Sequence, residues 1–205
     1  MVKDITKKEK SELTFKDKIL INIYDTASVL SVSVVTIMLI FTFLFRIVGV
    51  SGTSMLPTLE HGDWLVVSAY DKKPEYGQVV IVTQPNWFQE PIVKRIIATE
   101  NQVVDINFAT GDVYVDGVVL NEPYINNRTL NSEGVDFPVT VPEGHVFVMG
   151  DNRQGSTDSR SEKIGFIQEE YILGVVQYKV CRMNTDFNGK VTDVDFYPLS
   201  EWKVE

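Results

Sequence analysis

Tyr114-Val-Asp-Gly-Val-Val119 sets β-branched residues on both sides of an Asp-Gly pair. A two-residue type I′ turn needs positive φ at both central positions, and Asp-Gly is among the pairs that supply it most readily. The stretch reads as a β-hairpin, which makes its surroundings antiparallel sheet. Working outward, alternating or β-branched apolar runs place further strands at 63–70, 78–83, 91–99, 102–108, 113–120, 139–149, 173–183 and 194–197. Turn signals part them: Lys73-Pro-Glu-Tyr-Gly77, Thr110-Gly-Asp112, Pro142-Glu-Gly144 and Asn188-Gly189. Many short strands without long helical patterns predict a mainly β, mostly antiparallel fold. No internal repeat or low-complexity tract interrupts it.

The other end of the chain follows a different rule. Residues 26–45 form twenty consecutive positions without a charge, bounded by Asp25 and Arg46. As a helix they span about 30 Å, the thickness of a hydrocarbon core. No polar stripe repeats with helical period, as a buried core helix would require. The run starts late and ends Phe43-Leu-Phe-Arg46 without the small-x-small residues of a cleaved leader. It is therefore expected to be an uncleaved transmembrane helix, with its serines and threonines bonded back to the preceding turn. Residues 1–25 carry six lysines, against only Arg46 on the other side until Lys72. Positive charge stays inside, so the N-terminus is expected in the cytoplasm and the rest outside.

Composition excludes several functions. Residues 47–205 hold 12 basic and 23 acidic residues, a balance that argues against nucleic acid as a partner. One cysteine, Cys181, leaves no intrachain disulfide and no cysteine-rich metal cluster, and its context reads as a buried strand position. His61 and His145 lie far apart without metal-ligand spacing, so neither metal nor cofactor is expected. Asn127-Arg-Thr129 fits a glycosylation triplet, a pattern too short to carry weight alone.

Three segments bear chemistry. Ser51-Gly-Thr-Ser-Met-Leu-Pro-Thr-Leu59 follows the apolar run within a few residues and offers Ser54 between a permissive Gly52 and a rigid Pro57. By itself this could be an ordinary turn. A serine nucleophile needs a base, and Lys94 is a candidate. In Pro91-Ile-Val-Lys-Arg-Ile-Ile97 the strand period puts Ile92, Lys94 and Ile96 on one face and Val93, Arg95 and Ile97 on the other. Between two isoleucines an amine loses water and its pKa falls toward the range of a base. The plain alternative is a lysine that reaches out to solvent along its stem. The third segment, Gly150-Asp-Asn-Arg-Gln-Gly-Ser-Thr-Asp-Ser-Arg160, contains hydroxyls, aspartates and arginines: a solvated loop, or a set of partners for a buried lysine.

Together, and in this order, the three segments resemble the boxes of bacterial type I signal peptidases, membrane-anchored serine proteases with a Ser/Lys dyad. Gly62-Asp-Trp-Leu-Val-Val and the 112–124 hairpin region are similar to further family segments, so the resemblance runs from about Ser51 to Gly174. It implies Ser54 as nucleophile, Lys94 as general base, and Ser156 bonded to the Lys94 amine. It also implies ion pairs Asp151–Arg95 and Asp158–Arg160. The implied layout is a cytoplasmic tail (1–25), an anchor (26–45), a catalytic β domain in two parts (46–100 and 143–205) and a small inserted β domain (101–142). The implied substrates are exported preproteins with signal peptides, cut after small residues at −1 and −3 at the bacterial cell membrane.

Two departures stand out. Where the family has a Gly-x-Pro-Gly-Asp turn after the base box, this chain reads Ala98-Thr-Glu-Asn-Gln102. Gly52 replaces a serine that in some members helps hold the oxyanion, which leaves the second donor unassigned. Trp87-Phe88 is placed either at the membrane interface or in ordinary loop packing. The rival readings are a soluble self-cleaving repressor on the same scaffold, opposed by the anchor, and an idle tether for pilus or envelope assembly, opposed by the intact Ser54 and Lys94. Bacterial origin follows from lysine as base, since related enzymes of the eukaryotic secretory pathway use histidine there.

Overall fold

The computed structural model describes residues 15–69, 73–83, 90–185 and 189–197. Trp87-Phe88 and Asn188 fall outside these residues. Two units divide at Phe43 and Leu44.

The first unit contains α1 (Phe15–Phe43), 29 residues long. Within it, Ile19–Thr42 is long and apolar enough to cross a membrane. Apolar side chains such as Val29, Leu30, Val32 and Met38 are exposed around it, the surface a lipid-facing helix presents. Thr26, Ser33, Thr36 and Thr42 donate to the carbonyls of Asn22, Val29, Val32 and Met38 at 2.7–2.8 Å. Their hydroxyls are thereby satisfied inside the helix. The helix begins well before the uncharged run and stops short of its end, because Phe45 opens the first strand.

That strand, β1 (Phe45–Gly49), was not expected as a separate element. It pairs antiparallel with β2 (Asp63–Ser68), where Leu65 and Val67 point inward and Trp64 and Val66 lie half-exposed. β3 (Val79–Val82) and β4 (Ile92–Ala98) follow. All four residues of β3 are buried, as a β-branched run in a central strand should be. The chain then leaves this sheet to build a second one from β5 (Val103–Asn107), β6 (Asp112–Val115), β7 (Val118–Val119) and β8 (Val139–Thr140). It returns through β9 (His145–Met149), β10 (Ile167–Gln168), β11 (Ile172–Thr185) and β12 (Val191–Phe196). The large sheet runs β1-β2-β11-β3-β4-β9-β10 with β12 paired to β11, and the small one β7-β6-β5-β8.

Every strand pairing among the described residues is antiparallel. Asp116 and Gly117 adopt φ of 52° and 78° at the β6–β7 turn, the left-handed geometry the Asp-Gly pair predicts. The run at 139–149 divides into β8 and β9 because the Pro142-Glu-Gly144 turn sends its halves to different sheets.

Three apolar clusters hold this unit together. Val50, Met55, Leu59, Leu65, Val67, Val79, Ile81 and Val176 form the one beneath the Ser54 loop. Met55 and Leu59 are almost wholly buried, each contributing roughly 1.5–3 kcal/mol, and so pin that loop to the sheet on both sides of Pro57. A second cluster packs Val80, Val82 and Ile96 against Val146 and Val148. The third joins the sheets, with Ile97 and Phe147 of the large one against Val104, Ile106 and Val113 of the small one. Phe108, Phe137, Phe147 and Phe166 extend it in edge-on contacts with centroids 5.8–6.2 Å apart.

Candidate active site

β3 and β4 place Lys94 opposite Val80 and Arg95 opposite Val79, so the adjacent cations leave β4 on opposite faces. Lys94 is 3% exposed. Its amine donates to Ser54 Oγ at 2.9 Å and to the Val93 carbonyl at 3.0 Å. Burial pulls its pKa down from 10.5 to about 8, against the opposite pull of Asp158, Glu133 and Asp151. The lysine therefore points inward to the serine rather than outward to water. Ser54 is half-buried at the edge of a groove of about 530 Å³. Val50, Ile81, Ile92 and Val93 supply its apolar walls beside Ser54 and Lys94.

The loop after β9 holds these groups in place. Arg95 donates through Nε and Nη2 to the two carboxylate oxygens of Asp151 at 2.9 and 2.7 Å. Asp151 also accepts from the Thr58 hydroxyl, four residues beyond the serine, and Arg95 reaches the Gly77 carbonyl at 2.7 Å. Arg160 makes the same two-pronged contact with Asp158, both distances 2.8 Å. Asp158 accepts the Gly150 N–H at 2.9 Å. Both ion pairs are buried, where paired geometry and extra hydrogen bonds offset lost hydration.

Ser156 departs from expectation. Its hydroxyl is buried and has no hydrogen-bond partner, so the expected bond to the Lys94 amine is not made. Gly150 explains the position: a Cβ there would collide with Ser156 Oγ and the Ser54 carbonyl oxygen, so only glycine lets these two serines lie this close to one backbone. The Lys94 amine instead takes Ser54 and the Val93 carbonyl.

Other contributors carried no local signal. Asn152 donates its backbone N–H to the Ser54 carbonyl at 3.0 Å and its side-chain amide to the Thr53 carbonyl at 3.0 Å. Arg153, buried, pairs with Glu122 and donates to Thr129 Oγ1 at 2.8 Å and the Gly150 carbonyl at 3.1 Å. The Arg95 guanidinium lies 4.0 Å over the Tyr124 ring. Glu122, Tyr124 and Thr129 all come from the stretch between β7 and β8, so that stretch buttresses the catalytic loop. His61 Nδ1 accepts the Gly52 N–H at 3.3 Å, and His145 Nδ1 lies 2.8 Å from the Glu143 carbonyl. Neither histidine bonds Ser54 or Lys94. Cys181 is buried in β11. Among the described residues, no group of His, Cys, Asp and Glu could hold a metal ion.

A serine hydroxyl beside a desolvated amine, on an antiparallel β scaffold, is the arrangement of a serine hydrolase, and the relatives narrow the class to a serine endopeptidase. The family profile described as "Signal peptidase, peptidase S26" matches residues 23–181. The "Probable signal peptidase I-1" of Synechocystis sp. is 34% identical over 191 residues, covering 88% of this chain and 85% of that protein. The signal peptidase I of Bacillus licheniformis is 35% identical, covering 77% of this chain and 88% of that one. A crystal structure of a signal peptidase I from Enterococcus faecalis V583 is 30% identical, covering 50% of this chain and 96% of that chain, with a TM-score of 0.42. The chain belongs to the signal peptidase family, peptidase S26. With α1 it is a membrane-anchored member.

Proposed function

We propose that Ser54 is the nucleophile and Lys94 the general base with which this enzyme removes signal peptides from exported preproteins. The observation that carries the reading is the 2.9 Å contact between the Lys94 amine and Ser54 Oγ, with that amine almost fully buried. As a neutral group, Lys94 accepts the Ser54 proton while Oγ attacks the scissile carbonyl carbon. The tetrahedral intermediate collapses, Lys94 passes the proton to the departing amine, and the signal peptide stays esterified to Ser54. Water, deprotonated by the same amine, then attacks the ester and restores the hydroxyl.

The Ser54 N–H is the first candidate donor for the oxyanion, with no backbone acceptor in the loops described. The Gly52 N–H is taken by His61, so the second donor comes from elsewhere. A groove with walls of valine and isoleucine suits an extended peptide with small side chains, excluding large ones by overlap. This supports cleavage after small residues at −1 and −3. Asp151, Arg95, Asp158 and Arg160 are structural ion pairs behind the dyad. Ser156 supports it from beside Gly150, where its hydroxyl is buried without a partner.

The chain leaves the large sheet after β4 and rejoins it at β9 beside the same strand, which supports reading the second sheet as the small inserted domain. The lysines of residues 1–25 favour a cytoplasmic N-terminus and an exported catalytic unit in a bacterial membrane. No observation favours an idle tether over an enzyme.

The test is purified enzyme in lipid with a preprotein, followed by N-terminal sequencing of the product. Wild type is expected to release a mature chain cut after a small residue. Ser54→Ala and Lys94→Met are expected to leave the preprotein intact, and cleavage by either variant rejects the assignment.

A further inference from the structure

One carboxylate near the Lys94 amine has no arginine of its own. Asp151 takes two nitrogens of Arg95, and Asp158 takes two of Arg160. Glu122 is matched by Arg153. Glu133 shares Arg160 Nη2, at 3.1 Å, with Asp158, to which the same nitrogen donates at 2.8 Å, and it also takes a backbone hydrogen bond from Asp158. The groups that act on the amine are thus the carboxylates Asp151, Asp158 and Glu133 and the guanidinium of Arg160, with Arg95 paired to Asp151. With all of them ionised and Lys94 protonated, charge balances. Removing the Lys94 proton leaves one negative charge in excess, unless Glu133 also holds a proton.

Backbone contacts fix Glu133 in this position. Its segment, between β7 and β8, is laid along the catalytic loop. The Asn131 carbonyl accepts from Arg160 Nη1 at 3.3 Å, Gly134 bridges to Ser161, and the Val135 N–H donates to the Arg160 carbonyl at 3.2 Å. This segment and residues 154–157 line a second, open pocket of about 560 Å³ that includes Glu133 and Ser156, whose buried hydroxyl is unpartnered. Burial, then the neighbouring Asp158 charge, lifts the Glu133 carboxyl to about 7, beside an amine at about 8.

We propose that Glu133 is a positioning residue for the reaction: its charge, added to that of Asp158, opposes loss of the Lys94 proton, so that Lys94 becomes a base at a higher pH than burial alone would set. The inference rests on Lys94 being the base. The neutral amine is easiest to reach when Glu133 carries no charge.

The test is the pH profile of kcat/KM for the full-length enzyme in lipid with a preprotein. Glu133→Gln keeps an oxygen for Arg160 but removes the charge. Its acid limb is expected to move about half a pH unit or more to lower pH, so that below the limb it retains about threefold more of its plateau rate than wild type. Glu133→Asp, which keeps the charge, should stay nearer wild type. Glu133→Ala is the second charge-free variant, should the glutamine protein fail to fold, and is expected to shift the limb the same way. An unshifted limb in a folded charge-free variant, with Lys94→Met inactive, overturns the role of Glu133 and leaves the base in place. Activity in Lys94→Met overturns the base itself.

Discussion

The backbone N–H of Asn152 donates to the carbonyl of Ser54 at 3.0 Å, while its side-chain amide holds the adjacent Thr53 carbonyl at the same distance. The serine backbone thus hangs from the loop that carries Asp151 and Asp158. Ser54 is aimed from below by buried Met55 and from the side by Asn152. Displacement of a reacting group by about 1 Å can cost a hundredfold in rate.

Asn152→Ala removes only the side-chain half of this hold. We expect kcat/KM to fall by about 10- to 100-fold, with KM little changed and the unfolding midpoint within a few degrees of wild type. Steady-state kinetics together with a thermal melt check this. A variant as fast as wild type would mean that the backbone bond and Met55 alone aim the serine.

Asp151→Ala leaves the Arg95 guanidinium buried without its carboxylate and strips a partner from Thr58. Removing one member of a buried pair typically costs about 3–5 kcal/mol. The unfolding free energy measured in urea should fall by that order. Activity should drop as well, because Thr58 belongs to the Ser54 loop.

Much of this architecture was legible from sequence because half-buried strands alternate and a type I′ turn has few sequence solutions. The stretch at 91–97 announced the strand but left Lys94 open between a buried base and a lysine reaching to solvent, and only its company with the Ser54 and 150–160 segments favoured the first. β1 was hidden because Phe45 and its apolar neighbours continue the hydrophobic run of α1, and only pairing with β2 separates them. β10, two residues long, has no period to detect. Asn152, Glu122, Arg153 and Glu133 escaped for a different reason. Each acts through a partner distant in sequence, such as Glu122 with Arg153 or Asn152 with Thr53, and a polar residue in a polar loop carries no mark of its partner. The unpaired Ser156 hydroxyl was equally out of reach, since it depends on the absence of a Cβ at Gly150.

Gly150→Ala tests that close approach. The added methyl would meet Ser156 Oγ and the Ser54 carbonyl oxygen at distances no real Cβ tolerates, so the loop or the serine must move. A loss of at least a hundredfold in kcat/KM is expected, with destabilisation of about 1–3 kcal/mol from overpacking. Wild-type kinetics in this variant would show that the Ser54 loop yields without losing its aim.

The last prediction sets activity against stability at one residue. If Lys94 is the base, kcat/KM should rise with pH through an acid limb near the lowered lysine pKa of about 8. The same burial penalises the folded state. The folded pKa, about 8, lies below the unfolded value of 10.5, so between these two the unfolded chain binds more protons and stability rises with pH. Below pH 8 the penalty is fully present; above about 10.5 it is gone. Lys94→Met fills similar volume without burying an amine and should be inactive yet more stable than wild type, by about 1–3 kcal/mol at pH 7. Chemical denaturation of the two proteins at pH 7 and at pH 10 reads the difference directly, and the gap should narrow at the higher pH. A gap of the same size at both pH values would mean that the amine is not desolvated, and the argument for a neutral base at position 94 would go with it.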